Sequence, residues 1–387
     1  MTPPTGVPVL PAPAAMLGAL RLVAAVVYAV PQSLAIGWPV LTLVAEGVGH
    51  GAGDTSMRRL AVWLARRTPG AIVMTMVLAF PPFLLDLVLH GSAILPAAQH
   101  LGWAWLAATP LMFIGLGASF WVALRRRGTE PSTIRPFLPD IVESYLLAFR
   151  RRGLERPGLA LTLVALAALL GTGIIFTAHG VLLTRPALWA PAAGIPNGWK
   201  FPLGDPELLP RLVTILVGAL AVAGLSVGWH GADRLADGEA GYGRTATRFG
   251  ILWFGVATGL LAVTWPWWLM ALPAPLRLAA LSGPGPFWCW VGGGAAGVAV
   301  LLAIVAVAAP EPRQYIVGAA VAQVISLVGF AALRQRLREA ALAGWDPGAV
   351  TTVTHSGPAV LFAVTAVLAA AALAYLVLSS APSRRGT

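Results

Sequence analysis

One cysteine, one lysine and little charge of either sign set the limits of this chain. Cys289 is alone, so no internal disulfide forms, and no CxxC pair offers the sulfur ligands of a zinc or iron–sulfur site. There is no CxxCH, which excludes a covalently attached c-type haem. Lys200 is the only lysine, so the basic character is arginine. Charged residues make up 11% of the chain, against roughly 25% in soluble globular domains. The alternating strands of a membrane barrel are missing. No Ser-His-Asp set, HExxH or paired carboxylate stands out. The GGGAAG stretch (Gly292 to Gly297) follows no strand and carries no lysine, so it is small-residue helix packing and not a phosphate loop. The first basic residue is Arg21, after a Pro-rich start, which does not match the charged opening of a secretory signal.

What is present in excess is apolar sequence. Hydrophobic residues reach 58%, with a mean hydropathy of +0.79. A membrane-crossing helix needs about 20 apolar residues, and in lipid only helices or closed barrels satisfy their own backbone. The expected fold is therefore an all-α polytopic membrane protein of about nine helices, at 17–45, 71–92, 103–124, 158–180, 209–229, 249–271, 286–309, 314–333 and 358–379. These form one transmembrane domain over 1–387. The net charge of +11 does not indicate nucleic acid, because the arginines sit between hydrophobic segments.

Those arginines give the orientation. They crowd the connections 46–70, 125–157 (a long basic connection) and 230–248, and the tail at Arg384 and Arg385. By the positive-inside rule all four are cytoplasmic if the N-terminus is outside and the C-terminus inside. The stretch 333–346 breaks the pattern, since Arg334, Arg336 and Arg338 fall on the outer side. Either the eighth helix is drawn too short and these side chains snorkel, or 333–346 is an interfacial amphipathic helix on the outer face, with Arg334 and Arg338 aligned at i, i+4. In the second case it contacts anionic lipid, a quinone head group or a partner subunit.

Asp86 is the most informative single residue. An ionised carboxylate inside an apolar helix costs roughly 2.5–3.5 kcal/mol on insertion scales, so it must pair or titrate. His90 lies four residues on, on the same face, after the Pro81-Pro82 pair. Together they can accept a quinol proton, or simply orient the helix. His90, His100, His179 and His355 all fall at the outer end. His90 and His179 are a pair from which a haem-ligating set would be drawn, but ligands of a haem embedded in a bundle lie well inside their helices, and these lie near the ends. Trp265, Trp267, Trp268, Trp288 and Trp290 read as an aromatic belt at head-group level.

The order of parts resembles subunit I of the cytochrome bd-type quinol oxidases. The segment VVYAVPQSLAIG (Val26 to Gly37) is similar to the family's first helix, and DPELLPRLVTILVGALAVAGLS (Asp205 to Ser226) to its fifth. The resemblance implies nine helices with an outside N-terminus. It also places Tyr28, and Thr214 or a neighbour, where the family has haem-ligating histidines. The seventh helix (Gly285 to Ala309) has no methionine ligand, and the outer loop that binds quinol in the family shrinks to LPAPLRLAALSGPGP. The expectation is a haem-ligand-poor relative in a bacterial inner membrane. It would be a non-catalytic or quinone-interacting subunit of a respiratory complex, anchoring a cytochrome and other membrane subunits at the outer face. No haem is expected on its own ligands, and no metal. The candidate quinone or partner-haem contacts are Asp86, His90, His179, Arg334, Arg338 and His355. The alternative is a transporter or channel with Asp86 as its intramembrane ionisable residue.

Overall fold

The structure is a computed structural model that describes residues 14–125, 157–189 and 201–343. The described residues form ten helices and no strand. They are α1 (Ala14–Gly51), α2 (Thr55–Leu101), α3 (Trp103–Arg125), α4 (Pro157–Leu183), α5 (Pro186–Trp189), α6 (Leu208–Ala236), α7 (Ala240–Ala271), α8 (Ala274–Leu281), α9 (Gly285–Ala308) and α10 (Pro312–Leu342). Eight of them (α1, α2, α3, α4, α6, α7, α9 and α10) are long and apolar enough to cross a membrane. The chain is a polytopic helical membrane protein, and its first eight expected spans coincide with these helices. The ninth, 358–379, lies outside the described residues, as does 126–156 of the basic connection.

Successive spans pack as antiparallel neighbours: α1 with α2, α3 with α4, α6 with α7, and α9 with α10. The outward faces remain apolar. Phe113, Leu252, Val263, Leu301 and Ile304 are all exposed. So continuous an apolar surface suits hydrocarbon and not water.

Two boundaries differ from the sequence reading because hydropathy marks lipid depth and not helix ends. The connection 46–70 is almost entirely helical, since α1 runs to Gly51 and α2 begins at Thr55. Asp54 caps α2, its carboxylate accepting from Ser56 N–H at 2.8 Å and Met57 N–H at 3.3 Å. The spanning part of α2, 55–91, is 37 residues long. At 1.5 Å per residue that is about 55 Å, well beyond a hydrocarbon core of about 30 Å. Second, the residues drawn as an outer loop at 93–102 continue α2 past a break. The break falls at His90 (φ −140°, ψ 26°) and not at Pro81-Pro82. Beyond it, Ala93, Ile94, Ala97 and Leu101 pack on Ala178, Val181 and Leu182 of α4. Gly102, with φ 53°, ends α2 and lets α3 start at once.

Small residues bring the helices together. Between α6 and α7 the backbones nearly touch: a Cβ at Gly224 would lie 2.6 Å from Phe254 N and 2.8 Å from Gly250 O. Gly231 likewise abuts Thr247, and Gly250 abuts Gly228. In lipid this close approach, with its van der Waals gain, replaces the hydrophobic driving force. Gly37 does the same between α1 and α6, against Ala219 and Ala223. Of the GGGAAG stretch only Gly292 is used this way, against Gly329 and Phe330 of α10, while Gly293, Gly294 and Gly297 meet nothing. On α10 the buried positions Ile316, Ala319, Ala322, Ser326, Gly329, Leu333 and Leu337 recur at helical spacing and form one face.

Candidate functional site

Because the spans alternate in direction, the starts of α1 and α6 share one end of the bundle with the ends of α2, α4, α7 and α10. That end gathers the buried ionisable groups. Asp86, near the end of the spanning part of α2, accepts a hydrogen bond from Arg21 of α1 and forms an ion pair with Arg338 of α10 at 2.6 Å. The three side chains are only 19%, 9% and 18% exposed, respectively. A lone carboxylate in an apolar helix is costly; here it is held between two guanidinium groups that come from opposite ends of the sequence. Arg338 is also within electrostatic reach of His90 and His179.

A second knot lies beside it. Glu207, fully buried just before α6, accepts from Arg211 at 2.8 Å and from the Trp268 indole at 3.4 Å. Its other oxygen is 3.0 Å from the Thr184 hydroxyl. Two donors on one oxygen and a hydroxyl beside the other surround this carboxylate, as a buried charge requires. Trp268 is thus buried and hydrogen-bonded, unlike the exposed Trp267 and Trp290, which keep a belt position. Arg185 pairs with Asp205 at 2.8 Å at the same end.

The six sequence candidates divide as follows. Asp86 and Arg338 are joined directly. Arg334 lies near them, within electrostatic reach of Arg211, Arg338, Glu207 and Arg21. His179 is buried and donates from Nε2 to the Ile94 carbonyl at 3.3 Å, with its ring 4.5 Å from that of Trp105. Its bonding therefore fastens α4 to the second part of α2. His90 does not form the expected bond to Asp86, whose oxygens are taken by arginines; its Nε2 is buried without a hydrogen-bond partner among the described residues. His355 lies outside the described residues. Residues 333–342 continue α10 without a break, so within the described residues Arg334 and Arg338 belong to a spanning helix and not to a separate one.

Sequence reasoning missed Arg21, Glu207 and Arg211. The last two stand at i, i+4 across the start of α6, which is a readable signal for a helical ion pair. Arg21 carried none, because its partner is 65 positions away.

The resemblance sets Tyr28, and Thr214 or a neighbour, where haem-ligating histidines would stand, and neither named side chain fits that group. Tyr28 packs on Met74 and Leu78. The Thr214 hydroxyl donates to the Pro210 carbonyl at 2.8 Å and lies 3.2 Å from the Thr264 carbonyl. Neither presents an imidazole, and among the described residues no group of three or more His, Cys, Asp or Glu could hold a metal.

The opposite end is built differently. Trp63 of α2 stacks on His230 of α6 with centroids 3.9 Å apart, and His230 Nε2 is 3.0 Å from the Tyr242 hydroxyl. Arg59 lies 4.3 Å over the Tyr242 ring and Arg67 4.8 Å over that of Trp63. Glu239, between α6 and α7, joins Arg59 and Arg234. The Arg59 hydrogen bond holds its carboxyl below the ordinary glutamate range.

No protein-family model and no curated protein matches this sequence. Among solved structures, a chain of the bd oxidase from Geobacillus thermodenitrificans is similar in fold, with a TM-score of 0.66 over 94% of this chain and 97% of that one. At 13% sequence identity the likeness is one of architecture: this chain has the helical framework of a bd oxidase chain.

Proposed function

We propose that this chain is a membrane subunit of a bacterial respiratory complex that holds a quinone next to Asp86, His90 and Arg338 and anchors a cytochrome-bearing partner at the outer face of the inner membrane. The observation that carries the reading is the half-buried His90 imidazole at the break in α2, whose Nε2 is buried and unbonded among the described residues. It stands near an ionic knot, in a framework shared with a bd oxidase chain. A quinone carbonyl needs a donor and a quinol hydroxyl an acceptor, and the free Nε2 of a neutral imidazole serves as one or the other according to its tautomer. The backbone leaves helical geometry at His90, and at membrane depth such backbone is tolerated where it is covered by protein or lines a cavity. Arg21 and Arg338 fix Asp86, so its role here is to position Arg338 and the end of α2. The same two arginines leave a transporter reading without a free intramembrane acid to rest on.

The test is purification of the chain with its native partners from the membrane, with extraction and quantification of bound quinone. The expected result is a co-purifying cytochrome, and a quinone content that falls about tenfold in His90→Phe for the loss of one buried hydrogen bond. A chain that isolates alone, with no quinone in the extract and no effect of His90→Phe on quinol oxidation by the membranes, refutes the reading.

A further inference from the structure

The end of the bundle opposite Asp86 holds a small cavity between α1, α2, α3 and α4, with a volume of about 10 Å³. Each of the four helices contributes one hydroxyl residue to its lining, Thr42, Thr68, Ser119 and Thr162, and Pro39 and apolar side chains complete it. All four hydroxyl residues are buried, none more than 5% exposed. Each donates its proton to the carbonyl four residues earlier: Thr42 to Trp38 at 2.8 Å, Thr68 to Leu64 at 2.9 Å, Ser119 to Gly115 at 2.7 Å and Thr162 to Gly158 at 2.9 Å. A hydroxyl has one proton and two lone pairs, so with the protons spent these oxygens are acceptors only. Pro39 has no N–H, which leaves the Ala35 carbonyl, one turn earlier on the same face, without its helical donor. The polar lining therefore accepts hydrogen bonds and does not donate them.

A guest here must be small, and must either donate hydrogen bonds or carry positive charge. The volume matches one water-sized guest. A water molecule gives its two protons to two of the four oxygens and finds no donor for its own lone pairs. A bare alkali cation is served by all four at once. We propose that this cavity binds one dehydrated sodium ion on the hydroxyl oxygens of Thr42, Thr68, Ser119 and Thr162. Hard cations take oxygen ligands, and no carboxylate lines the cavity to offset a second charge, so the ion is monovalent. Sodium is smaller than a water molecule and potassium is about as large as one, so a cavity at the lower size limit for water selects sodium. Of the charged residues near it in sequence, Glu46 stands one turn from Thr42 on the same face of α1, while Arg66 and Arg67 precede Thr68 and Arg125 follows Ser119. Arg67 and Arg125 lie over the rings of Trp63 and Trp121, 4.8 and 5.3 Å from their centroids. This balance, with neutral ligands alone, puts the dissociation constant above the millimolar limit of carboxylate calcium sites, at about 10–50 mM. The inference stands apart from the quinone reading, because a sodium-dependent melt is measured whether or not quinone or a cytochrome accompanies the chain.

The experiment follows thermal unfolding of the protein purified from the membrane, by thiol labelling of Cys289, in sodium, potassium or choline chloride at equal ionic strength. At about 0.3 M sodium, a dissociation constant of about 10–50 mM corresponds to a melting temperature about 2–4 °C higher than in choline. Potassium is expected to give a clearly smaller rise. The double variant Thr42→Val, Ser119→Ala removes two ligands while each freed carbonyl keeps its helical N–H donor, and is expected to lose the sodium effect. Thr75→Val is the control. Thr75 is just as buried and donates to the Ala71 carbonyl at 2.8 Å, but it does not line the cavity, and its variant is expected to keep the full sodium shift. Should the double variant not fold, the comparison of the three salts on wild type needs no variant. Equal melting in all three salts means a cavity that holds water only, and overturns the sodium assignment. A potassium shift as large as that of sodium, or a sodium shift that survives in the double variant, overturns it as well.

Discussion

Asp86→Asn changes the shape of one side chain little and its charge completely. In the folded protein Asp86 neutralises two arginines, and all three side chains are at least four-fifths buried. That burial decides the scale. An exposed pair contributes about 0–1 kcal/mol, whereas removing one partner of a buried pair costs about 3–5 kcal/mol, because the other charge stays behind without a counter-ion. Here two charges stay behind, so the upper part of that range is expected. For a chain of this length, roughly 2 °C per kcal/mol gives a fall in melting temperature of about 8–10 °C. The single cysteine provides the assay: Cys289 is partly buried against α8, so thiol labelling on heating reports unfolding. The triple variant Arg21→Met, Asp86→Leu, Arg338→Met removes all the charges together and is expected to melt within a few degrees of wild type or above it. If Asp86→Asn melts within about 1 °C of wild type, or if the triple variant is the less stable of the two, the idea that Asp86 is the counter-ion of both arginines is wrong.

Three further outcomes are expected. Gly250→Val drives a side chain into the α6 backbone at Gly224 and Gly228, and should cost more than about 3 kcal/mol or prevent insertion, seen as loss of the folded peak in detergent gel filtration. His230→Phe keeps the stack on Trp63 but loses the bond to Tyr242, and is expected to lower stability by about 1 kcal/mol in the same thiol assay. Glu239 has its pKa lowered by Arg59, so its stabilisation is present above the unfolded glutamate pKa of about 4.3 and disappears as pH falls through the lower folded value. Glu239 is about one-third exposed, so Glu239→Gln should cost less than about 1 kcal/mol at pH 7. The difference should shrink in melts as the pH falls below about 4.3 and vanish below the folded value, and a gap that widens on acidification contradicts this.

The spans were legible because lipid imposes one simple rule on sequence, a run of apolar residues long enough to cross. Asp86 was legible for the same reason, as a violation of that rule. Its partners were not. Arg21 is 65 positions from Asp86, and Arg338 lies at the far end of the described chain, so only packing brings them together. Arg334 and Arg338 stood out as arginines on the wrong side of the membrane. Their position left open a surface helix or a spanning helix drawn too short, and they extend a spanning helix whose other face is buried. The pairing of Asp86 with His90 was sound as helical geometry, but the helix breaks at His90 itself, and nothing in a hydropathy profile marks such a break. The Val26 to Gly37 segment carried a real packing signal in Gly37, which abuts α6.

The near-contact of α6 and α7 has a mechanical consequence. Where glycine meets backbone at Gly224, Gly231 and Gly250, there is no layer of side chains to re-rotamerise, so neither helix can slide or roll against the other without steric collision. The two behave as a single stiff spar. Relative movement of the helices is left to seams made by side chains, such as that of α1 with α2 and α10, where Asp86 and its two arginines form the contact.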